Sequence, residues 1–187
     1  MVFGLGGKDI LVETGLRIGF TGKAGSGKTT AARLVCEGRT PSGVVSFADP
    51  IKQICVLMYN LNPALPMMKA HLRPIMQEIG SKMREVDKDI FVNYAITMIQ
   101  AASPTSTIAV DDVRFPNEVA ALRKHGFIIV KLVRDVALLT GTEAEHKSET
   151  ELEEIVADYT IKANNLKELR DGLVEVVKKL GGKELKE

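Results

Sequence analysis

Surplus charge of either sign is what this sequence most conspicuously lacks. Twenty-five Lys and Arg residues face 24 Asp and Glu, a net charge of +1, so no global field draws the chain to nucleic acid or a membrane surface. Cysteine is scarce too. Cys36 and Cys55 stand alone in apolar helical surroundings with no C-x-x-C pair, which excludes a disulfide framework and leaves reduced thiols of a cytoplasmic protein as the expectation. His71 and His125 have no partner visible in sequence, and His146 alone makes no metal site. No apolar run is long enough to span a bilayer, and residues 1–15 have no signal-peptide core. There is no internal repeat and no low-complexity tract. With 187 residues, the expectation is a single domain over 1–187, with a solvated tail after Gly181.

What is present begins with Gly22 to Thr30, GKAGSGKTT, which matches G-x-x-x-x-G-K-[ST]. Glycines let a backbone curl around a phosphate with its N–H groups inward, and the helix that follows aims its positive end at the same anion. Lys28 is placed to reach the β- and γ-phosphates and Thr29 to ligate Mg²⁺. The flanks agree, with a short strand at residues 16–20 before the loop and a helix over Lys28–Cys36 after it. Gly22, Lys23, Ala24, Gly25, Ser26, Gly27, Lys28, Thr29 and Thr30 are therefore expected on the phosphates of ATP.

Further along, residues 44–48 read as a second buried strand, and Asp49-Pro50 opens a helix with Asp as N-cap. Residues 62–66 interrupt it, and a further helix is expected from about Pro74 to Glu85. Residues 87–102 form an apolar helix ended by Ser103-Pro104. A third strand covers 107–111, a helix 116–125 ends at Gly126, and a fourth strand covers 127–133. Ser148 with Glu151 forms a capping box, 159–161 is a short last strand, and 166–180 is an amphipathic helix. This alternation predicts an α/β fold around a parallel sheet with right-handed crossovers, whose ligands sit at the carboxyl ends of the strands. Those ends are Gly22, Asp49, Asp111-Asp112, Arg134 and Asn164-Asn165, all polar.

Asp111 and Asp112 follow an apolar strand, where one carboxylate is expected near Mg²⁺. Arg114 lies two residues on, where a guanidinium can fork onto phosphate oxygens, while Glu118 is accounted for as a first-turn helix residue. At 100° per residue, Arg73, Gln77, Gly80 and Arg84 share one helix face, either a salt-bridged surface or a clamp for a second phosphorylated ligand. The Gln77 amide suits the edge of a base. Residues 134–147, with Gly141, His146 and Lys147, read as a lid or as an ordinary surface loop.

The segments GKAGSGKTTAARL, SFADPIK, RPIMQEIGSKMREVD, AVDDVRFPNEVAALRKHG, EHKSETEL and DYTIKAN resemble the deoxynucleoside monophosphate kinase family of P-loop kinases, in family order over nearly the whole chain. DVRFPNE followed by a helix and Gly is the most specific of them. The resemblance implies a three-layer α/β/α P-loop NTPase fold of the nucleoside monophosphate kinase type, with a five-stranded parallel sheet. It also implies substrate-binding helices inserted at about 50–103, a lid at about 134–150, and Mg²⁺ with ATP as co-substrate. By position it puts Asp49, Lys52, Arg73, Gln77, Arg84 and Glu149 around the acceptor, Arg114 on the phosphates and Asp112 at Mg²⁺. Arg134, His146, Lys147 and Glu149 fall in or beside the lid, and Arg134 and Asn164 join the ATP site. Dephospho-CoA kinase and animal-type phosphomevalonate kinase share this layout.

The expected reaction is transfer of the γ-phosphoryl of ATP to a small phosphorylated acceptor. Lys28, Arg73, Arg84 and Arg114 are its catalytic groups, and Arg73 and Arg84 together hold the acceptor phosphate. An acceptor phosphate, with its second pKa near about 6, needs no base at neutral pH. A hydroxyl acceptor needs one, and Asp49 is the candidate. The rivals are a nucleotide-dependent switch ATPase and a polynucleotide end kinase, the latter disfavoured by the even charge balance. The partners expected are thus ATP and the acceptor, with no nucleic acid polymer and no membrane, in a monomer or homodimer.

Overall fold

A computed structural model describes residues 15–60, 66–135 and 154–181. Among these, β1 (Arg17–Thr21), α1 (Lys28–Cys36), β2 (Ser42–Val45), α2 (Asp49–Tyr59), α3 (Pro66–Val86) and α4 (Ile90–Ala101) make the first half. β3 (Thr107–Val113), α5 (Pro116–Lys124), β4 (Ile128–Val133), β5 (Tyr159–Lys162) and α6 (Leu166–Lys179) make the second. The five strands form one parallel sheet in the order β2-β3-β1-β4-β5.

Alternation along the strands sorts the core into two layers. Ile108, Val110 and Ile129 face Phe47, Ile51, Phe91, Ala95, Ile99 and Leu122 on one side. Ile18, Phe20, Ala109, Val130 and Leu132 face Ala31, Val35, Leu169, Leu173 and Val177 of α1 and α6 on the other. Helices on both faces of a parallel sheet give the three-layer α/β/α sandwich of a P-loop NTPase. No helix among the described residues is long and apolar enough to cross a membrane.

The structure departs from the sequence expectations in four places. β2 starts two residues earlier, at Ser42, and ends at Val45; as the sheet's edge strand it is mostly exposed rather than buried. Asp49 is the first residue of α2, with Ala48 at the cap; its carboxylate turns back to accept the Ser46 N–H at 3.0 Å. α3 is continuous from Pro66 with Pro74 inside it. A proline there forfeits one backbone hydrogen bond, and Leu72, 1% exposed, anchors the preceding turn in the core.

The fourth departure decides the site. β1 and β3 pair Gly19 with Val110 but Thr21 with Val113, so β3 advances three residues while β1 advances two. This bulge falls at Asp111-Asp112 and breaks the alternation there.

Candidate functional site

The loop at the end of β1 begins with Gly22. Its φ is +138°, and a Cβ there would lie 2.3 Å from the Leu132 carbonyl oxygen. Gly27 caps α1 in the left-handed region with no side chain on the first-turn amides. α2, α5 and α6 each carry a carboxylate in their first turn (Asp49, Glu118 and Glu168), whereas α1 carries none, leaving its positive end uncompensated. Lys28 is buried, and its Nζ donates to the carbonyls of Gly22 at 2.5 Å and Lys23 at 2.8 Å. The hydroxyls of Thr21 and Ser26 are buried with no hydrogen-bond partner, beside and inside a loop whose fitting guest is an oxyanion. Lys23, Gly25, Thr29 and Thr30 are exposed, and Ala24 is buried. Arg134 reaches over the loop, its Nη1 3.5 Å from the Gly25 carbonyl oxygen. Asn164 braces the neighbouring strand ends, accepting the Asp135 N–H at 2.9 Å and donating to the Asp135 carboxylate at 3.0 Å.

The two aspartates, adjacent on β3 and so on opposite faces of the sheet, have different tasks. Asp111 points to the α1 side, where Oδ2 accepts the Thr29 hydroxyl at 2.7 Å and Oδ1 accepts the Ser46 hydroxyl. Asp112 points the other way and accepts the N–H groups of Phe47 at 2.8 Å and Ala48 at 3.0 Å. The sequence expectation joined Thr29 with Asp112; in the structure Thr29 meets Asp111, and Asp112 fastens the start of α2. Ser46 was absent from that expectation, and its place after a strand is the only signal the sequence offers for it.

Mg²⁺ binds oxygen ligands in octahedral geometry and keeps several waters and substrate phosphates among them. Thr29 and Asp111 fit that chemistry, being one hydroxyl and one carboxylate beside the loop. No group of three or more His, Cys, Asp or Glu side chains able to hold a metal occurs among the described residues, which this kind of site does not require.

Behind Asp112 lies a charged cluster. Burial pulls the Lys52 ammonium down, but its hydrogen bond to Asp49 at 2.7 Å and the charges of Asp112 and Asp111 outweigh that and hold it above the usual lysine range. Burial, then the Asp111 charge, raises the Asp112 carboxyl. Glu118 is 2% exposed; burial, then Asp112, pushes its carboxyl up to about 8.

Of the expected acceptor residues, Asp49 and Lys52 meet in one ion pair. Arg73, Gln77 and Arg84 are half-buried along α3, and Arg114 is half-buried after β3. The guanidinium carbon of Arg84 lies 4.6 Å from the centre of the Phe91 ring and 4.3 Å from that of Phe115, so Phe115 is a shelf for an arginine as well as packing. Because α3 is unbroken, Arg73 and Arg84, eleven residues apart, stand about 16 Å apart along its axis. A phosphate held by both would need the two side chains extended toward each other along the helix. Glu149, His146 and Lys147 lie outside the described residues, as do Gly141, the Ser148–Glu151 capping box and most of the expected lid.

No family model matches the chain. The solved structure of TT1252 from Thermus thermophilus superimposes with a TM-score of 0.55 at 14% identity, covering 90% of this chain and 98% of that one, and supports the fold assigned above. A protein of Acanthamoeba polyphaga mimivirus named "Putative deoxynucleotide monophosphate kinase" is 27% identical over 173 residues, 79% of this chain and 88% of that protein. With 32% identity over 160 residues, spanning 81% of this chain and 68% of the relative, the protein belongs to the same family as "Uncharacterized protein ORF77" of Ictalurid herpesvirus 1 (strain Auburn).

Proposed function

We propose that the protein is a nucleotide kinase that transfers the γ-phosphoryl group of ATP to a (deoxy)nucleoside monophosphate, giving the diphosphate. The observation that carries this reading is the pairing of the loop with Asp111. A buried lysine sits over an uncapped helix N-terminus, and the Thr29 hydroxyl is hydrogen-bonded to a carboxylate at the end of the adjacent strand. The mimivirus relative's name supports the kinase assignment.

Backbone amides of residues 22–30 hold the donor phosphates, and Lys28 neutralises charge on the oxygens around the migrating group. Thr29 and Asp111 would hold Mg²⁺, which supplies charge neutralisation to the donor phosphates when bound. Arg134 closes over the loop from the end of β4. On the acceptor side Arg84, braced by two rings, takes the phosphate, and Arg114 stands at the β3–α5 turn. Gln77 lies seven residues before Arg84, about 10 Å along the helix, a span that suits phosphate, sugar and base in line. Arg73 is then a residue of the far rim. A phosphate acceptor is already a nucleophile at neutral pH. That agrees with an Asp49 whose two oxygens are engaged by Lys52 and the Ser46 N–H.

The test is a panel of NMPs, dNMPs, dephospho-CoA and phosphomevalonate with Mg-ATP, read as ADP production. Turnover with one or more nucleoside monophosphates is expected. Turnover confined to dephospho-CoA or phosphomevalonate would replace the acceptor class. Fast phosphate release from Mg-ATP alone would point to a switch ATPase instead.

A further inference from the structure

Glu118 is a buried carboxyl that this phosphoryl-transfer scheme leaves unused, and its two oxygens have separate tasks. Oε2 accepts the backbone N–H groups of Arg114 at 2.8 Å and Phe115 at 3.1 Å. Oε1 faces Arg84, whose Nη2 lies 3.7 Å away. Capping a helix does not require this arrangement. Glu168 does the same service for α6, accepting the Asn164 N–H at 2.7 Å, while remaining exposed. Sinking a carboxyl to 2% exposure beside a guanidinium costs solvation that a cap alone does not repay.

Arg84 is restrained on every side that the structure records. Phe91 and Phe115 hold its guanidinium, and Nη1 donates to the Gly80 carbonyl at 3.3 Å. A Cβ at Gly80 would lie 3.2 Å from that same Nη1 and 3.0 Å from Ile51 Cδ1. Glycine at this point therefore leaves the arginine room to lie back along α3.

Resting on the kinase reading, we propose that Glu118 is a positioning residue for the acceptor site. Its Oε1 sets the direction of the Arg84 guanidinium, and its Oε2 ties that direction to the turn carrying Arg114. Two arginines 30 positions apart in sequence are thereby presented to the acceptor phosphate in fixed register. A planar fork matches phosphate oxygens only when its orientation is set in advance.

Glu118→Gln separates the two tasks. The amide oxygen can still accept both backbone N–H groups, and the NH₂ opposite Arg84 can never become the carboxylate that pairs with it. At about pH 9, above the value of about 8 at which the carboxyl titrates, the expected result is a fall of about tenfold or more in kcat/KM for the nucleoside monophosphate, carried by acceptor KM, with the KM for ATP changed less than about twofold. At about pH 6, where both side chains are neutral, the two proteins should agree within about twofold. In an Arg84→Met background the same substitution should add nothing further. Glu118→Asp, which withdraws the carboxylate from Arg84 by one methylene, should raise acceptor KM in the same direction and decides the matter should Glu118→Gln fail to fold. An unchanged acceptor KM in both variants, or an equal loss from Glu118→Gln with and without Arg84, would overturn the inference and leave the kinase reading intact. A wild-type protein that phosphorylates no monophosphate would overturn both.

Discussion

Replacing Glu118 by glutamine also yields a stability experiment that needs no substrate. The carboxyl titrates near about 8 in the folded protein, against an ordinary value of 4.5, because burial and then the Asp112 charge oppose its ionisation. The sign follows from proton counting. Below roughly pH 4.5 both folded and unfolded chains hold the proton, and stability from this position is complete. Between there and about pH 8 only the folded chain holds it, so stability falls as pH rises, by about 1.4 kcal/mol per pH unit. Above about pH 8 both states have lost the proton and the decline stops. The whole window amounts to a ceiling of about 5 kcal/mol, and glutamine, which carries no proton to lose, escapes it. Other titrating groups are common to both proteins, so the difference between the two profiles reports this carboxyl together with its interaction with Asp112. Urea unfolding at pH 5, 7 and 9, followed by far-UV circular dichroism because the chain has no tryptophan, is the assay. Near pH 5 the two proteins should agree within about 1 kcal/mol, since the amide oxygen serves the same backbone donors. By pH 9 the variant should be the more stable by several kcal/mol. Parallel profiles across the whole range would refute the assignment of a protonated, buried carboxyl.

Three further outcomes follow from the same geometry. Gly22→Ala places a Cβ 2.3 Å from the Leu132 carbonyl oxygen at a φ of +138°; ATP binding measured by calorimetry should fall more than about 100-fold, with a strain cost of about 1–3 kcal/mol visible in the unfolding curve. The aspartates should divide their effects: Asp111→Asn depresses Mg-dependent turnover with little change in stability, whereas Asp112→Asn, which sets an amide against one of two backbone donors, costs about 1–3 kcal/mol in urea. The reverse assignment would contradict the hydrogen bonds of the two carboxylates. Asp49→Asn should retain most of kcat with a nucleoside monophosphate and raise its KM, because the acceptor phosphate needs no base; near-total loss of kcat with binding intact would indicate a hydroxyl acceptor.

How far the sequence reveals this depends on how local each feature is. The phosphate loop is written in nine consecutive residues, and α1 begins and ends where its pattern predicts. The same holds for β4 and α6 to within a residue. The burial of β2 could not be read, because Val44 and Val45 have the same composition in a central strand as at an edge, and only the sheet order exposes them. Pro74 reads locally as the start of a helix because the penalty for an internal proline is real, yet burial of Leu72 two residues earlier carries α3 through it. The roles of the adjacent aspartates depend on pairing with β1, about 90 residues upstream. Arg84 and Glu118 were both visible as residues, but their meeting requires α3 to fold over the β3–α5 turn, which no periodicity encodes. Expected contacts from residues 136–153 fall outside the described residues.

The extra residue in β3 has a consequence for what length changes this segment tolerates. Removing position 112 would restore regular pairing with Val113 still opposite Thr21 and on its present face, in the layer that holds Phe47, Val119 and Leu122. The turn after it would keep its own ties, since Glu118 accepts from Arg114 and Phe115 within five residues. What would go is the carboxylate that accepts the Phe47 and Ala48 N–H groups. A chain shortened there should keep its sheet register and its donor loop, and lose the fastening that sets Asp49 and Lys52 at the start of α2.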